Sequence, residues 1–533
     1  MVPSPAVSHR SIAASTLFVM AATFASTLLG FSREVVSARF YGTQWQMDTF
    51  LAAATIPTIL FGVFNGALVS ALVPTFSDYI STGREDEAWT LGSTIINVLA
   101  IILTACAIVG WLAAPLYVPL IARGFHGQQL AATIDMTRAL MPSIIAVSLS
   151  GVFSSMLNAY HKFRSASMTG IAINVVTIGS VIAFNHKLGI YALVWGTFWG
   201  LIAQLLVQVP AFIAIGRYRL TIDLRHPGLR KMWSLLGPII VGSVAGQLAL
   251  FFDRFFASTL PTGYISGMNY VTKLVNFPQQ IFAAAIATVI FPLLAAHFAR
   301  NNRRGVAESA VTGLRLVLFI AIPSVCALIA LAYPMVQTLF QRGTFGPAAT
   351  DLTASLMPFA AVGLVALSAN VVLTRCCFAC QEVAIPVAIS MISVLANIVL
   401  SLLWLPTLGG RGLLLANSVS QTLQAVLLLA LVARLVQSFD WWALARSALR
   451  VTIASVAMYA ALHWIQTLGV HPQSSFMTRA SFLFGQIAVG GAVFIAMARI
   501  LRLEELDLAW SAIMTKFERN LQSAPENRDV PIA

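Results

Sequence analysis

Charged residues interrupt long apolar stretches of this chain at a few places where charge is expensive. Arg33, Glu34, Arg39 and Asp48 follow an uncharged run that begins at Ser11, and a second uncharged run covers 49–77. Asp253, Arg254 and Lys273 interrupt the apolar sequence again about 220 residues later. A charge at the centre of a bilayer costs roughly 3 kcal/mol on insertion scales, so such a residue faces a wet cavity or a partner. A guanidinium offers phosphate oxygens a planar donor fork, and an ammonium offers a point charge. Arg33, Arg254 and Lys273 together would make a cationic cavity suited to an anionic substrate. A plainer arrangement competes with this one: Arg33–Glu34 and Asp253–Arg254 can be local ion pairs at helix ends. Asp48 is expected to pair with an arginine in one conformation and release it in another.

The rest of the chain offers little other chemistry. There is no phosphate-binding glycine loop, no G-x-S-x-G elbow and no histidine pair at metal spacing. The histidines are isolated, and solvated loop positions account for His161, His226 and His297; His463 lies inside an apolar run, where an interhelical hydrogen bond is its ordinary role. Cys376-Cys377-x-x-Cys380 has no second cysteine or histidine cluster, so its cysteines are expected to be packing residues and no metal site is expected. Asp135 and Arg138 are spaced for an i,i+3 ion pair. Asn174, Asn370, Asn397 and Asn417 are expected to bond between helices. Pro57, Pro74, Pro142, Pro278, Pro292 and Pro358 fall in or beside apolar runs and are expected to kink them.

The elements that carry these residues must be membrane helices. The chain has 533 residues, of which 58% are hydrophobic and 10% charged, against about 25% charged in soluble domains. Fourteen stretches are long and apolar enough to span, so the fold class is an all-α polytopic membrane protein. The net charge of +13 lies in short basic clusters between apolar runs, which fits loops on one side of a membrane and excludes a nucleic-acid partner. With the N-terminus inside, Lys and Arg favour the cytoplasmic side by about three to one, so both termini are expected there.

The chain also repeats. Arg33 and Pro57 recur as Arg254 and Pro278, Met141-Pro142 as Met357-Pro358, and Leu188-Gly189 as Leu408-Gly409, each about 220 residues on. The reading is two six-helix lobes related as parallel repeats, with a site between them, plus two further helices. The expected divisions are an N-terminal lobe at 1–216, a basic cytoplasmic linker at 217–231, a C-terminal lobe at 232–437, two last helices at 438–502 and a polar tail at 503–533.

Several motifs carry a family resemblance. They are Gly30-Phe31-Ser32-Arg33-Glu34, Ala38-Arg39-Phe40-Tyr41-Gly42, Asp48-Thr49-Phe50, Ile56-Pro57 and the run from Gly66 to Pro74. Lys273 to Pro278, Ala287 to Pro292 and Leu339-Phe340-Gln341-Arg342-Gly343-Thr344-Phe345 continue the match. In these the chain resembles the MurJ/MviN family, lipid II flippases of peptidoglycan synthesis, within a superfamily that also holds MATE exporters and polysaccharide flippases. The resemblance implies paired lobes around a central cationic cavity, with a groove for a polyprenyl tail on the last two helices. It implies an undecaprenyl-diphosphate-linked glycan, lipid II, as substrate, moved across a bacterial inner membrane by alternating access. It places substrate contacts at Arg33, Asp48 and Lys273, the last where well-studied members carry arginine. The residues read Arg254, Glu34 and Arg39 into the same site. Two further cavity arginines of the family fall on Thr27 and on Phe61-Gly62 and are absent. Another lipid-linked oligosaccharide is the alternative substrate, and a MATE-like exporter of small cationic molecules is a third reading. No cofactor is implied; coupling to a monovalent ion or to the membrane potential is left open. Membrane lipids and cell-wall synthesis proteins are the further partners.

Overall fold

The computed structural model describes residues 9–436, 438–467 and 476–508, with backbone alone for 9–17, 64–71, 231, 233–242, 245 and 284. Most of the expected polar tail therefore lies outside the described residues. Every regular element among those described is helical. A bilayer imposes this, because each backbone N–H and C=O must find its partner within the spanning segment.

Helices α1 (His9–Tyr41), α2 (Trp45–Ala53), α3 (Thr55–Ser81) and α4 (Glu85–Ile121) carry the first three predicted spans. The fourth is α5 (Gly127–Leu140) with α6 (Ser143–Ala159), and the fifth is α7 (Phe163–Ser167) with α8 (Thr169–Leu188). The sixth is α9 (Tyr191–Leu206) with α10 (Val209–Ile215), and the seventh is α11 (Pro227–Ala257). The eighth comprises α12 (Tyr264–Pro278), a π-helical turn (Gln279–Ala283) and α13 (Ala284–Ala299). Then come α14 (Arg303–Ala330) with α15 (Ala332–Phe340), and α16 (Pro347–Ala361) with α17 (Gly363–Ala379). The last four spans are α18 (Ala384–Leu408), α19 (Gly410–Val436), α20 (Trp441–Thr467) and α21 (Phe476–Ile500). Among the described residues, 12 helical segments are long and apolar enough to cross a membrane. The count becomes 13 if α16 and α17, bent by 44°, are one span. Helix α11, many of whose side chains are not described, is outside that count.

Several prolines sit at helix junctions. Pro57 is the third residue of α3, where its missing N–H removes no intrahelical bond. Pro142 is the N-cap of α6. Pro278 ends α12 and is followed by the π turn, which absorbs the lost hydrogen bond.

The internal repeat is written into the backbone. Left-handed residues at helix ends recur about 220 positions apart: Gly42 and Gly263, His161 and Gln381, Gly189 and Gly409. A non-glycine residue with positive φ is uncommon, so the His161–Gln381 match (φ 57° and 60°) is a specific marker of the repeat.

The chain forms two compact units. One comprises Met1–Lys273, Leu339–Leu356 and Ser390–Ser420. An apolar cluster there joins Leu72 and Phe76 of α3, Trp89 and Leu103 of α4, Ile144 and Met156 of α6, and Phe212 of α10. The other comprises Leu274–Thr338, Met357–Ile389 and Gln421–Ala533. There Ile290, Leu314, Val372 and Leu428 pack together, and α20 and α21 build a second cluster against α14. Arg315 of α14 ties the chain after α21 by bonds to Glu504 (2.8 Å) and Glu505 (2.6 Å).

Candidate substrate-binding site

The intramembrane charges of the first unit gather around the end of α1 and the face of α12. Arg33 and Glu34 are neighbours on α1, and their side chains pair at 3.0 Å. The Arg33 side chain keeps 27% of its exposure, whereas Glu34 is buried at 6%. Glu34 also accepts from the Asn269 amide at 3.3 Å, and Lys273 acts on it electrostatically. Asn269 and Lys273 are four residues apart, so they share one face of α12. Lys273 is exposed, and among the described residues it makes no ion pair or hydrogen bond. A buried carboxylate thus holds Arg33 and draws in Lys273, offsetting the repulsion between like charges.

Arg254, at the end of α11, reaches the same region. Its guanidinium donates long, weak bonds of 3.5 Å to Ile265 O and to Asn269 Oδ1. The charges of Asp253, Asp48 and Glu34 all act on it. Asp253 itself accepts from buried Asn397 at 3.1 Å. Arg254 therefore spends its donors on neutral oxygens and acts on these carboxylates at longer range, with no ion pair among the described residues.

Asp48, on α2 and 2% exposed, has a different task. Its Oδ2 accepts from the Gly263 N–H at 2.6 Å and its Oδ1 from the Ser266 N–H at 2.8 Å. These are orphan donors at the start of α12, so Asp48 caps that helix from elsewhere in the chain, where the helix dipole also favours an anion. Gly263 has φ +95°, and a Cβ there would lie 2.9 Å from Thr43 O, which makes glycine the residue that fits. Asp48 thus meets backbone donors, with Arg254 acting on it at longer range.

Arg39 does not join the cluster. Its side chain is exposed, with the guanidinium 5.8 Å from the Phe40 ring centre. Its carbonyl is the used group: it accepts from the N–H (2.9 Å) and hydroxyl (3.1 Å) of Thr344. The Leu339–Phe345 motif therefore clasps the end of α1. Phe340 and Phe345 lie 5.1 and 5.6 Å from the ring of Tyr270, whose hydroxyl donates to Gly42 O at 3.1 Å.

Other expectations resolve as follows. Asp135 and Arg138 form no ion pair among the described residues: Arg138 donates to Trp111 O at 3.2 Å and lies 4.9 Å from that ring centre. The aromatic face and carbonyl of α4 compete successfully with an exposed carboxylate, since a surface ion pair is worth little. Cys376 and Cys377 are buried thiols. Thr27 bonds its own helix at Thr23 O. At Gly62 a Cβ would meet the terminal amide of Gln247 on α11, which would have to move, so the position that lacks an arginine is one where Gln247 occupies the space.

Sequence reasoning missed Asn269, Ser266, Tyr270 and Gln247. The first two had a usable signal: 266, 269 and 273 are polar positions recurring on one face of an otherwise apolar helix.

Comparison with known proteins gives a consistent result. The family described as "Lipid II flippase MurJ" matches residues 37–479. A Vibrio cholerae serotype O1 protein described as "Probable lipid II flippase MurJ" is 30% identical over 517 residues, which is 93% of this chain and 97% of that protein. A Burkholderia cenocepacia "Lipid II flippase MurJ" is 28% identical over 460 residues, 84% of this chain and 89% of its own. The solved structure "Lipid II flippase MurJ, inward closed conformation" superimposes with a TM-score of 0.77 at 23% identity, over 91% of this chain and 98% of that one. An inward-facing MATE family multidrug transporter superimposes at 0.63 with 14% identity, over 80% and 99%, a likeness of fold alone.

Proposed function

The chain belongs to the lipid II flippase MurJ family, and from that premise we propose that Arg33 and Lys273 hold the diphosphate of the transported lipid. The protein is a multi-pass transporter, not an enzyme: a flippase that carries lipid II from the cytoplasmic to the outer leaflet of a bacterial inner membrane by alternating access.

The observation that carries the residue assignment is the division of labour among the cations. Arg254 already donates to Ile265 O and Asn269 Oδ1, and the charges of Asp253, Asp48 and Glu34 act on it. Lys273 is exposed and unpaired among the described residues, and Arg33 is partly exposed with one carboxylate partner. Lys273 thus keeps its donors, and Arg33 spends one on Glu34, so both have donor capacity for an anion. A guanidinium fork and an ammonium are complementary to two linked phosphates. In this reading Glu34 is a positioning residue that keeps both cations on one side until substrate arrives. Asp48 acts through α12: its cap fixes the first turn of the helix that carries Asn269 and Lys273. Arg39 contributes its carbonyl to the clasp.

Both termini are cytoplasmic in this reading, in accord with the loop charges, and the chain works as two six-helix lobes, 1–216 and 232–437, with 438–502 serving the polyprenyl tail. The energy comes from a monovalent ion or from the membrane potential. An inside-negative potential favours outward passage of an anion, by about 2.3 kcal/mol per charge per 100 mV. Cell-wall synthesis proteins receive the product.

Complementation tests the assignment. Cells depleted of their own lipid II flippase receive the wild-type chain, Arg33→Ala or Lys273→Ala, with membrane expression checked. Rescue by wild type alone is expected. Rescue by both variants sinks the assigned roles and leaves the flippase reading standing; failure of well-expressed wild type points to a different lipid-linked glycan.

A further inference from the structure

The segment 217–226 joins α10 to α11 and has no regular structure, yet it is stitched to α4 along its length. The Arg219 N–H donates to Ser93 Oγ and the Asp223 N–H to Thr94 Oγ1, each at 3.1 Å. Asn97 donates through its amide to Thr221 O at 2.9 Å and accepts from the Tyr218 hydroxyl at 2.6 Å. The bonded backbone groups belong to residues 219, 221 and 223. Between and beside them stand Leu220, Ile222 and Leu224, which are apolar and exposed. Leu220 is 90% exposed, Leu224 65% and Ile222 51%. Arg219 and Arg225 flank them and are exposed.

Single exposed apolar residues need no explanation, but a regular comb of them held rigidly outward does. The depth of the comb supplies one. Helix α4 has 37 residues and is therefore about 55 Å long, against a hydrocarbon core of about 30 Å. If the excess is shared between its ends, the core begins about eight residues into the helix, near Ser93. The residues that hold the comb, Ser93, Thr94 and Asn97, thus lie where headgroups give way to acyl chains. Glu85, Asp86 and Glu87 in the first turn of α4 lie outside that level, and Arg217 pairs with Asp86 at 3.3 Å.

We infer that this segment is a membrane-surface anchor: Leu220, Ile222 and Leu224 insert into the adjacent leaflet while Arg219 and Arg225 engage anionic phospholipid headgroups. Apolar side chains below the headgroup level with arginines beside them are the arrangement by which peripheral segments hold an anionic bilayer. The inference concerns the surface joining α10 to α11 and does not depend on how lipid II is bound.

Photocrosslinking tests it on the full chain. p-Benzoylphenylalanine is placed at Leu220, Leu224 or Thr221, and each protein is reconstituted in nanodiscs of equal phosphatidylglycerol and phosphatidylcholine. After irradiation, intact mass reports the adducts. Lipid adducts are expected at 220 and 224, with few at 221, whose neighbour is α4. Phosphatidylglycerol should be enriched among them, and Arg219→Ser with Arg225→Ser should reduce that enrichment by about fivefold per arginine. Adducts with no headgroup preference, or no lipid adducts at 220 and 224, would overturn the inference. So would irradiation of whole cells in which position 220 is captured mainly by another protein.

Discussion

The cap that Asp48 places on α12 is the contact whose removal has the most readable consequence. Asp48→Ala deletes two acceptors at once and leaves the N–H groups of Gly263 and Ser266, bonded at 2.6 and 2.8 Å, without their partner. Hydrogen bonds to charged groups are worth about 1.5–3 kcal/mol each, and ordinary N-cap deletions cost about 1 kcal/mol. Water can reach part of the opened site, so a loss of about 2–4 kcal/mol in local stability is expected. At about 1.4 kcal/mol per decade this raises amide exchange in the first turn of α12 by about 30- to 1000-fold. Asp48→Asn should do little better than alanine. Its carboxamide oxygen can accept from one N–H, but its NH2 group then faces the other donor. Hydrogen–deuterium exchange read by mass spectrometry on peptides covering 263–269 is the assay, with peptides from α8 as the internal control. Exchange in the first turn within threefold of wild type, in an Asp48→Ala protein whose α8 peptides are unchanged, would refute the cap as the element that fixes α12.

Other expectations follow from the same geometry. Lys273→Arg should preserve lipid II binding, because a guanidinium can serve the same anion, whereas Lys273→Ala should weaken it by about tenfold or more; equal affinity for all three proteins in a titration with labelled lipid II would remove Lys273 from the site. Gly62→Arg should lower the thermal unfolding temperature, since overpacking costs about 1–3 kcal/mol and Gln247 occupies that space. Adding Gln247→Ala should recover part of the loss, and no recovery would mean that Gln247 is not the obstacle. Arg315→Ala strands the carboxylate of Glu505, which is 1% exposed, with the Ser447 hydroxyl at 2.6 Å as its remaining partner among the described residues; breaking such a pair costs about 3–5 kcal/mol, and an unchanged unfolding temperature would contradict it. Glu504 is held below the ordinary carboxylate range by its hydrogen bond to Arg315. Its contribution is thus present above its unfolded pKa of about 4.3 and is lost as pH falls through the lower folded value. Amide exchange around Glu504, corrected for intrinsic rates, should stay flat from pH 8 to 5 and rise only in more acid solution; a rise near pH 6 would contradict the assignment.

The spans and the identity of the charged residues were legible in the sequence because a bilayer makes both conspicuous: apolar length on one hand, charge inside it on the other. The partners were not. Asp48 reads as an anion awaiting an arginine, but its two short bonds go to backbone N–H groups some 215 residues away. Backbone donors leave no mark in the residue types. Arg39 falls within a recognisable motif, yet the structure uses its carbonyl. The missing arginine at Gly62 was visible as a gap, while its occupant, Gln247, is on another helix.

The larger change concerns the sign of the site. Counting cations alone suggests an open positive cavity. With their partners in place, Arg33, Arg254 and Lys273 stand against Glu34, Asp48 and Asp253, and the cluster is formally neutral. An anionic headgroup would therefore compete with Glu34 for Arg33 and Lys273 when it binds. Such competition suits a carrier better than a trap, because the same carboxylate that weakens binding is ready to take the cations back when the lipid leaves. Glu34→Gln should then tighten lipid II binding while slowing its release. That variant keeps an oxygen acceptor for Asn269 and removes the charge that recaptures Arg33. Weaker binding by Glu34→Gln would mean that Glu34 serves to orient the cations and that its competition with substrate is unimportant.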